Sequence, residues 1–338
     1  MSRAASADAP SDPPSPAPSP FSSGSLLCVT LNPCLDKTLV VPAWLPGDKV
    51  RGTQVEEVVG GKGNNVARAL KRLGHTQVRP ATLLGGAVGR RCVELLRLQD
   101  GLDPWTVATE APTRVILTVR SQDPRTPDTA FFDPDPAITD TEAARFLNPI
   151  RAAIQARRIR LLVLAGSSPS PATDRLFAQL VHEAHPASIP TFLDTYGAAL
   201  TALEPPCPTV IHVNRHEAGQ FLGVPSPDLP SLKELLHRWA HGGVRLAAIT
   251  DGPRPVLAAL DGQIVRALPP AVREVNPVGS GDCMLAGLAD AWLRRLPPEA
   301  CLRFGLAAGS ANAATWTAGA ISRSEVEALA AHVRIEPA

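Results

Sequence analysis

Aromatic side chains are scarce in this chain of 338 residues: Phe, Trp and Tyr make up 4 % of it, with a single tyrosine, Tyr196. Stacking platforms for single-stranded nucleic acid are therefore poorly supplied. An excess of charge of either sign is also missing. Lys and Arg total 33 and Asp and Glu total 32, a formal net charge of +1, which argues against a broad basic nucleic-acid surface and against an acidic solvating tail. The six cysteines (Cys28, Cys34, Cys92, Cys207, Cys283 and Cys301) are scattered and form no CxxC pair. Neither a disulfide framework nor a zinc knuckle is expected, and reduced thiols in a cytoplasmic protein are the simplest reading.

Other features are absent. Beyond the first 25 residues, the longest uncharged stretch, 304–322, contains Gly305, Gly309, Ser310, Asn312, Thr315, Thr317 and Gly319. That is too polar and too small for a membrane span, and it predicts a closely packed helix followed by a turn. No GxGxxG opens a βαβ unit, so a dinucleotide role is unsupported. Ser280 lacks the glycine two residues earlier that a nucleophile elbow needs. The pairs His212/His216 and His237/His241 have helical spacing but no carboxylate between them in an HExxH pattern, and read as solvated helix or loop histidines.

Hydrophobic residues make up 44 % of the chain, enough for a substantial core. Residues 1–25 hold eight Ser and six Pro with no apolar run, and are expected to be a disordered tail rather than a secretory signal. A short apolar strand over 26–31 follows, then β-branched segments at 38–41, 49–59, 113–119 and 130–132. Asn64 is expected to cap a helix closed by Gly74. From residue 140 helices alternate with strands at 161–165, 191–194, 209–213 and 246–250, and three helices begin near Gly281, Pro298 and Arg323. This pattern predicts one α/β domain over 26–338, a mostly parallel sheet with helices on both faces, and a small β-sheet lid built from parts of 36–60 and 113–133. Ligands in such folds sit beyond the carboxyl ends of the strands, which here carry Asn32–Asp36, Gly166–Ser167, Asp194, Asn214–Glu217, Thr250–Gly252 and Asn276–Asp282.

Two glycine loops carry the most chemistry. In Asn276-Pro277-Val278-Gly279-Ser280-Gly281-Asp282, glycines and a helix start can turn N–H groups toward one anion. An Asp at the rim of such a site suits a general base for a hydroxyl attacking a phosphate. It equally suits a plain helix start, with Asp282 satisfying free N–H groups. The second loop, Gly60-Gly61-Lys62-Gly63-Asn64-Asn65, also precedes a helix but is not a P-loop; it can hold a ligand against its backbone or be an ordinary tight turn.

These two loops, as Gly60 to Arg68 and Val275 to Asp282, resemble the two signatures of the ribokinase-like (PfkB) carbohydrate kinase family, and the likeness extends over about 26–333. Leu31-Asn32-Pro33-Cys34-Leu35-Asp36 and Asn276-Pro277 resemble the phosphosugar branch, which includes 1-phosphofructokinase and tagatose-6-phosphate kinase. The resemblance implies phosphoryl transfer from ATP to a sugar phosphate. It implies Asp282 as base and Gly279, Ser280 and Gly281 as the anion hole. Asp36, Gly60, Gly61, Asn65 and Ser167 would hold the sugar, and Lys49 and Arg114 its phosphate. Asn214 and Glu217 would organise Mg2+, largely through water, though Asn214 also reads as a helix cap. Thr250, Gly252 and Asn312 would border the nucleotide.

The chain departs from the family pattern at Ile116, where an Asn is usual, at Tyr196, where a small polar residue is usual, and at Ser168 and Asp251. The acceptor expected from the resemblance is fructose 1-phosphate. Tagatose 6-phosphate, fructose 6-phosphate, an unphosphorylated sugar or a nucleoside stand as alternatives, and a sugar-phosphate-binding regulator without activity is a third class. Exposed strands of the lid sheet could pair in a homodimer.

Overall fold

The computed structural model describes residues 19–123 and 125–338. The chain begins with β1 (Ser25–Thr30), β2 (Cys34–Val41) and β3 (Gln54–Gly60), then α1 (Lys62–Arg72), β4 (Val78–Gly85), α2 (Gly86–Leu98) and β5 (Trp105–Thr109). β6 (Arg114–Ser121), β7 (Thr129–Phe132), α3 (Asp140–Gln155), β8 (Ile159–Ala165), α4 (Leu176–Ala184), β9 (Thr191–Asp194) and α5 (Ala198–Thr201) come next. After these run β10 (Val210–Asn214), α6 (Arg215–Leu222), α7 (Leu229–His241), β11 (Leu246–Thr250), β12 (Val256–Leu260) and β13 (Gln263–Leu268). The chain closes with α8 (Ser280–Leu293), α9 (Pro298–Ala313), α10 (Arg323–Ala330) and β14 (Arg334–Pro337).

The large sheet has ten strands in the order β14-β13-β12-β11-β10-β9-β8-β1-β4-β5. From β5 to β11 neighbours pair in parallel, and β12, β13 and β14 add an antiparallel edge. The expected parallel sheet is there. β4, α2 and β5 on one side and β12 to β14 on the other are additional to the elements expected from sequence.

Burial on both faces is written into single strands. In β1, Leu26 and Cys28 point into one apolar cluster while Leu27 and Val29 point into the other. β8 alternates the same way, Leu161, Val163 and Ala165 against Leu162 and Leu164. Strands covered on both sides can be apolar throughout, as these are. α1, α2, α8, α9 and α10 supply one cluster, and α3, α4 and α7 the other.

The small sheet has the order β3-β2-β6-β7, with β2 and β6 parallel and the outer pairs antiparallel. The expected strand at 49–59 begins only at Gln54, because Pro46, Gly47 and Gly52 break the preceding segment. The expected Asn64 cap is also corrected. α1 starts at Lys62 after Gly61, and Asn64 is fully buried inside its first turn, donating to the Gly60 carbonyl. Gly61 takes φ 106° at that start, a left-handed conformation that a side chain resists.

The expected disordered tail is corrected at its end. Phe21 is 1 % exposed, meets Trp105 edge-on at 5.2 Å, and Ser25 already belongs to β1. One buried aromatic ring in a polar segment is enough to dock it. Residues 1–18 lie outside the described part. All six cysteines are unbridged, and among the described residues no helix is long and apolar enough to cross a membrane. Residues 304–322 form the end of α9 and a turn, as expected.

Candidate active site

A cavity of about 590 Å3 lies over the carboxyl ends of β9, β10 and β11 and the start of α8. Lys62, Asp194, His212, Thr250, Gly281 and Asp282 all line it. Two glycine loops thus converge on one place, although more than two hundred residues separate them in sequence.

The loop before α8 turns at Gly279, which has φ 81°. Ser280 spends its N–H on the Pro277 carbonyl, 3.1 Å away. The N–H groups of Gly279, Gly281 and Asp282 have no partner among the described residues, as the first turn of a helix allows. The expected anion hole is therefore corrected in one member: the Ser280 amide is already used, and the next free amide is that of Asp282.

Asn312 is corrected more strongly. It is fully buried beneath this loop rather than on a nucleotide wall. Its amide donates to the Val278 carbonyl (2.9 Å) and to Ser280 Oγ (3.1 Å), and its oxygen accepts from Gly319 N (2.8 Å). Asn312 thus ties the glycine loop to the turn after α9.

Asp282 sits in the first turn of α8, 6 % exposed. Asn65 Nδ2 donates to Asp282 Oδ2 at 2.7 Å. Burial, and then the negative charge of Asp194, push the Asp282 carboxyl up to about 7, while Lys62, the Asn65 bond and His212 pull against that rise. Asn65 is itself held by Arg68 Nη1 (2.7 Å), and Arg68 is braced by Asp100. The base of the cavity is therefore fixed from α1.

Lys62 is the centre of a buried charge network. Its ammonium lies 2.6 Å from Asp194 Oδ1 and 2.8 Å from Glu217 Oε1. Burial alone would lower its pKa, but the two carboxylates outweigh it and raise it. Asp194 shows the mirror image: burial would raise its carboxyl, yet Lys62 and His212 hold it well below the usual range. His212 Nδ1 lies 2.7 Å from Asp194 and its Nε2 lies 3.2 Å from Thr250 Oγ1. The reading of His212 as solvated is overturned, since it is 3 % exposed inside β10; His216, His237 and His241 are exposed as expected. The sequence carried a signal, for a strand of alternating side chains between Val210 and Asn214 puts His212 on the Asn214 face.

Asn214 and Glu217 form a capping box on α6. Asn214 Oδ1 accepts from Glu217 N (2.8 Å), and Glu217 Oε2 accepts from Asn214 N (2.9 Å). With Lys62 on its other oxygen, Glu217 has little room for direct ligation. Among the described residues no group of three His, Cys, Asp or Glu could hold a metal ion. This donor set fits a divalent cation through water only.

Outside the lining of that cavity, Asp36 on β2 accepts from Cys34 Sγ (3.3 Å), and burial raises its carboxyl against the opposing pull of that bond, Arg114 and Arg68. A Cβ at Gly60 would collide with Asp36 Oδ2 and Cys34 Sγ, so glycine there makes room for the carboxylate. Asn32 Nδ2 donates to Ser167 Oγ (3.0 Å) and to Asp135 Oδ1 (2.8 Å). Arg114 Nη1 also reaches Asp135 Oδ1, at 3.0 Å. Lys49 is exposed on the loop between β2 and β3 and makes no hydrogen bond or ion pair among the described residues. From sequence, Lys62, Asp135 and His212 have no individual site role, and Asn32 and Asp194 stand only on the rim of strand ends; the structure ties all five into these networks.

Residues 29–323 match the sequence profile described as pfkB family carbohydrate kinase. The chain belongs to that family. Its fold is shared with solved structures at low identity. Phosphofructokinase-2 from Escherichia coli, in a tetrameric inhibited form, is 24 % identical with a TM-score of 0.79, over 91 % of this chain and 99 % of that one. A protein from Thermotoga maritima described as a possible 1-phosphofructokinase is 22 % identical with a TM-score of 0.81, over 93 % and 99 %. Ribokinase from Arabidopsis thaliana, complexed with ribose and ATP, is 19 % identical with a TM-score of 0.70, over 91 % and 99 %. The family makes this protein an ATP-dependent carbohydrate kinase.

Proposed function

We propose that the protein transfers the γ-phosphoryl group of ATP to a hydroxyl of a phosphorylated hexose, fructose 1-phosphate first among them, with Asp282 as general base. The observation that carries this reading is Asp282 itself. Its carboxyl, at about 7, is matched to taking a proton near neutral pH, and it stands beside unpartnered N–H groups at a helix start. The acceptor oxygen gives its proton to Asp282 and forms the new bond to the γ-phosphorus. The bond from that phosphorus to the bridging oxygen breaks, and its electron pair leaves with ADP. The amides of Gly279, Gly281 and Asp282 receive the charge on the transferring group.

Asp36, Asn65, Ser167 and the backbone of Gly60 and Gly61 hold the sugar, and Arg114, with Lys49 if its loop closes, holds the acceptor phosphate. Thr250 and Gly252 border the nucleotide. Asn214 and Glu217 would hold Mg2+ through water, and that ion would supply positive charge to offset that of the ATP phosphates. The small sheet closes over the sugar and excludes water. A homodimer through the small sheet belongs to the same proposal, because Val55, Phe131 and Phe132 are 52 %, 54 % and 64 % exposed on it. So does a cytoplasmic setting, in keeping with the six unbridged thiols.

A second reading, an unphosphorylated sugar as acceptor, is favoured by one observation: Arg114 is already paired with Asp135. ADP release with Mg-ATP, measured over fructose 1-phosphate, fructose 6-phosphate, tagatose 6-phosphate, fructose, ribose and adenosine, separates the two. A rate with a phosphohexose well above the acceptor-free rate is expected. Turnover with fructose, ribose or adenosine alone would overturn the first reading in favour of the second.

A further inference from the structure

We propose that Asp135 is the specificity-determining residue of the acceptor site, because it holds the guanidinium that an acceptor phosphate must use. The inference rests on the phosphohexose reading above and names what limits it.

Arg114 opens β6, opposite Cys34 of β2, with its side chain 16 % exposed. An arginine offers five N–H donors in a planar fork, suited to bidentate binding of a phosphate. Here the fork is partly spent. Nη1 meets Asp135 Oδ1 at 3.0 Å, and Nη2 reaches the Asn32 carbonyl at a long 3.4 Å. Nε is buried without a partner. Asn32 Oδ1, on a side chain 4 % exposed overall, is likewise buried and unpartnered. The wall thus carries an unsatisfied cationic donor and an unsatisfied amide oxygen on either side of one carboxylate.

Asp135 is placed there by the chain rather than by chance rotation. Asp133 pairs with Val115 through both its backbone N–H and its carboxylate, which fixes the segment leaving β7 against β6. Two residues on, Asp135 Oδ1 receives both Arg114 and the Asn32 amide, while its side chain remains 46 % exposed. It is therefore firmly directed yet able to leave.

A phosphate dianion arriving at Arg114 would put two negative groups on one cation. Asp135 either withdraws or stays and repels the phosphate, and either cost is subtracted from the acceptor's affinity. A neutral sugar bears no such cost, since its hydroxyls can donate to the carboxylate. Asp135 thus weakens phosphorylated acceptors selectively and leaves neutral ones alone.

The test is steady-state kinetics with Mg-ATP on the full chain, comparing wild type, Asp135→Asn, Asp135→Ala, Arg114→Met and the double variant Asp135→Asn/Arg114→Met. Both Asp135 variants should lower the KM for the phosphohexose by about three- to tenfold, the scale of one ordinary net hydrogen bond, with the change carried by KM rather than kcat. The KM for an unphosphorylated sugar should not fall, and the gain should vanish in the Arg114→Met background. An unchanged or raised phosphohexose KM in both variants, with wild-type melting temperatures, would overturn the inference and leave the phosphohexose reading standing. A wild-type enzyme inert toward phosphohexoses but active on neutral sugars would remove both.

Discussion

The glycine loop lines the cavity, the proposed acceptor wall of Asn32, Arg114, Asp135 and Ser167 lies outside that lining, and the two are held by different means. The loop rests on Asn312, an uncharged amide with no exposure, which satisfies Val278, Ser280 and Gly319 at once. The wall rests on charges: Arg114, Asp135, and Asp36 near Arg114, with Asp135 nearly half exposed. A buried neutral amide fixes geometry whatever the ionic surroundings. A half-exposed ion pair can be exchanged for a ligand. On the proposed function, the side where geometry would decide the rate is rigid, and the side that would choose the acceptor is exchangeable.

The largest expected effect lies on the rigid side. Asp282→Asn removes the proposed base and should lower kcat by about 10²- to 10⁴-fold, with ATP binding retained. It is checked by the coupled ADP assay beside a nucleotide titration; near-normal turnover would mean that Asp282 only satisfies the helix start. The same substitution has a stability consequence whose sign follows from the raised carboxyl. Between its ordinary value and about 7 the folded state holds a proton that the unfolded state has lost. Stability attributable to this group is therefore full below that window and falls as pH rises through it. Asp282→Asn should lose that dependence, so that its thermal stability relative to wild type improves from pH 5 to pH 8.

Asn312→Ala comes next. It leaves the buried Gly319 N–H without its acceptor and the Val278 carbonyl and Ser280 hydroxyl short of a donor, a change of about 1–3 kcal/mol. A lowered melting temperature and a loss of about tenfold in kcat, with acceptor KM little changed, are expected. If acceptor KM moved and kcat did not, the contrast between the two walls would fail, because the loop would be acting through binding.

The pH profile of activity is a gentler test. If Asp282 must be ionised to act, kcat/KM should fall about tenfold per pH unit below the carboxyl's value near 7 and level off above it. A flat profile from pH 5 to pH 8 would remove the base role without touching the fold.

The same contrast explains what could be read from sequence. The loop from Asn276 to Asp282 is contiguous, and its glycines, its helix start and its carboxylate announce themselves together. Asn312 was legible as a polar residue in a small-residue helix, but not as the brace of a loop more than thirty residues earlier. The acceptor wall draws Asn32, Arg114, Asp135 and Ser167 from three separate strand ends and a connecting segment, with Asn32 and Ser167 135 positions apart. No local pattern links them. Lys62 lay in plain sight within a glycine loop, yet its two carboxylate partners stand on β9 and α6, and only the order of strands in the sheet brings them to it. The alternating core and the parallel pairing were legible because they repeat along the chain; pairings made once, across the sheet, were not.

The smallest effect would connect the two walls. β6 carries Arg114 at one end and Arg120 near the other, and the Arg120 guanidinium lies over the Trp316 ring, 4.3 Å from its centre. The Trp316 carbonyl accepts from Asn276 Nδ2 (2.9 Å), and Asn276 Oδ1 accepts from Val278 N (3.1 Å). One strand of the small sheet is thereby tied to the glycine loop. Trp316 is 53 % exposed, so the cation–π contact is worth about 0.5–1 kcal/mol, or about two- to fivefold in an equilibrium. Trp316→Ala should raise the KM for the acceptor by that factor and leave the Asp282-dependent pH limb where it is. If the limb moved with KM, the small sheet would be setting the environment of the base as well as holding the sugar, and the division between a rigid side and an exchangeable side would have to be redrawn through β6.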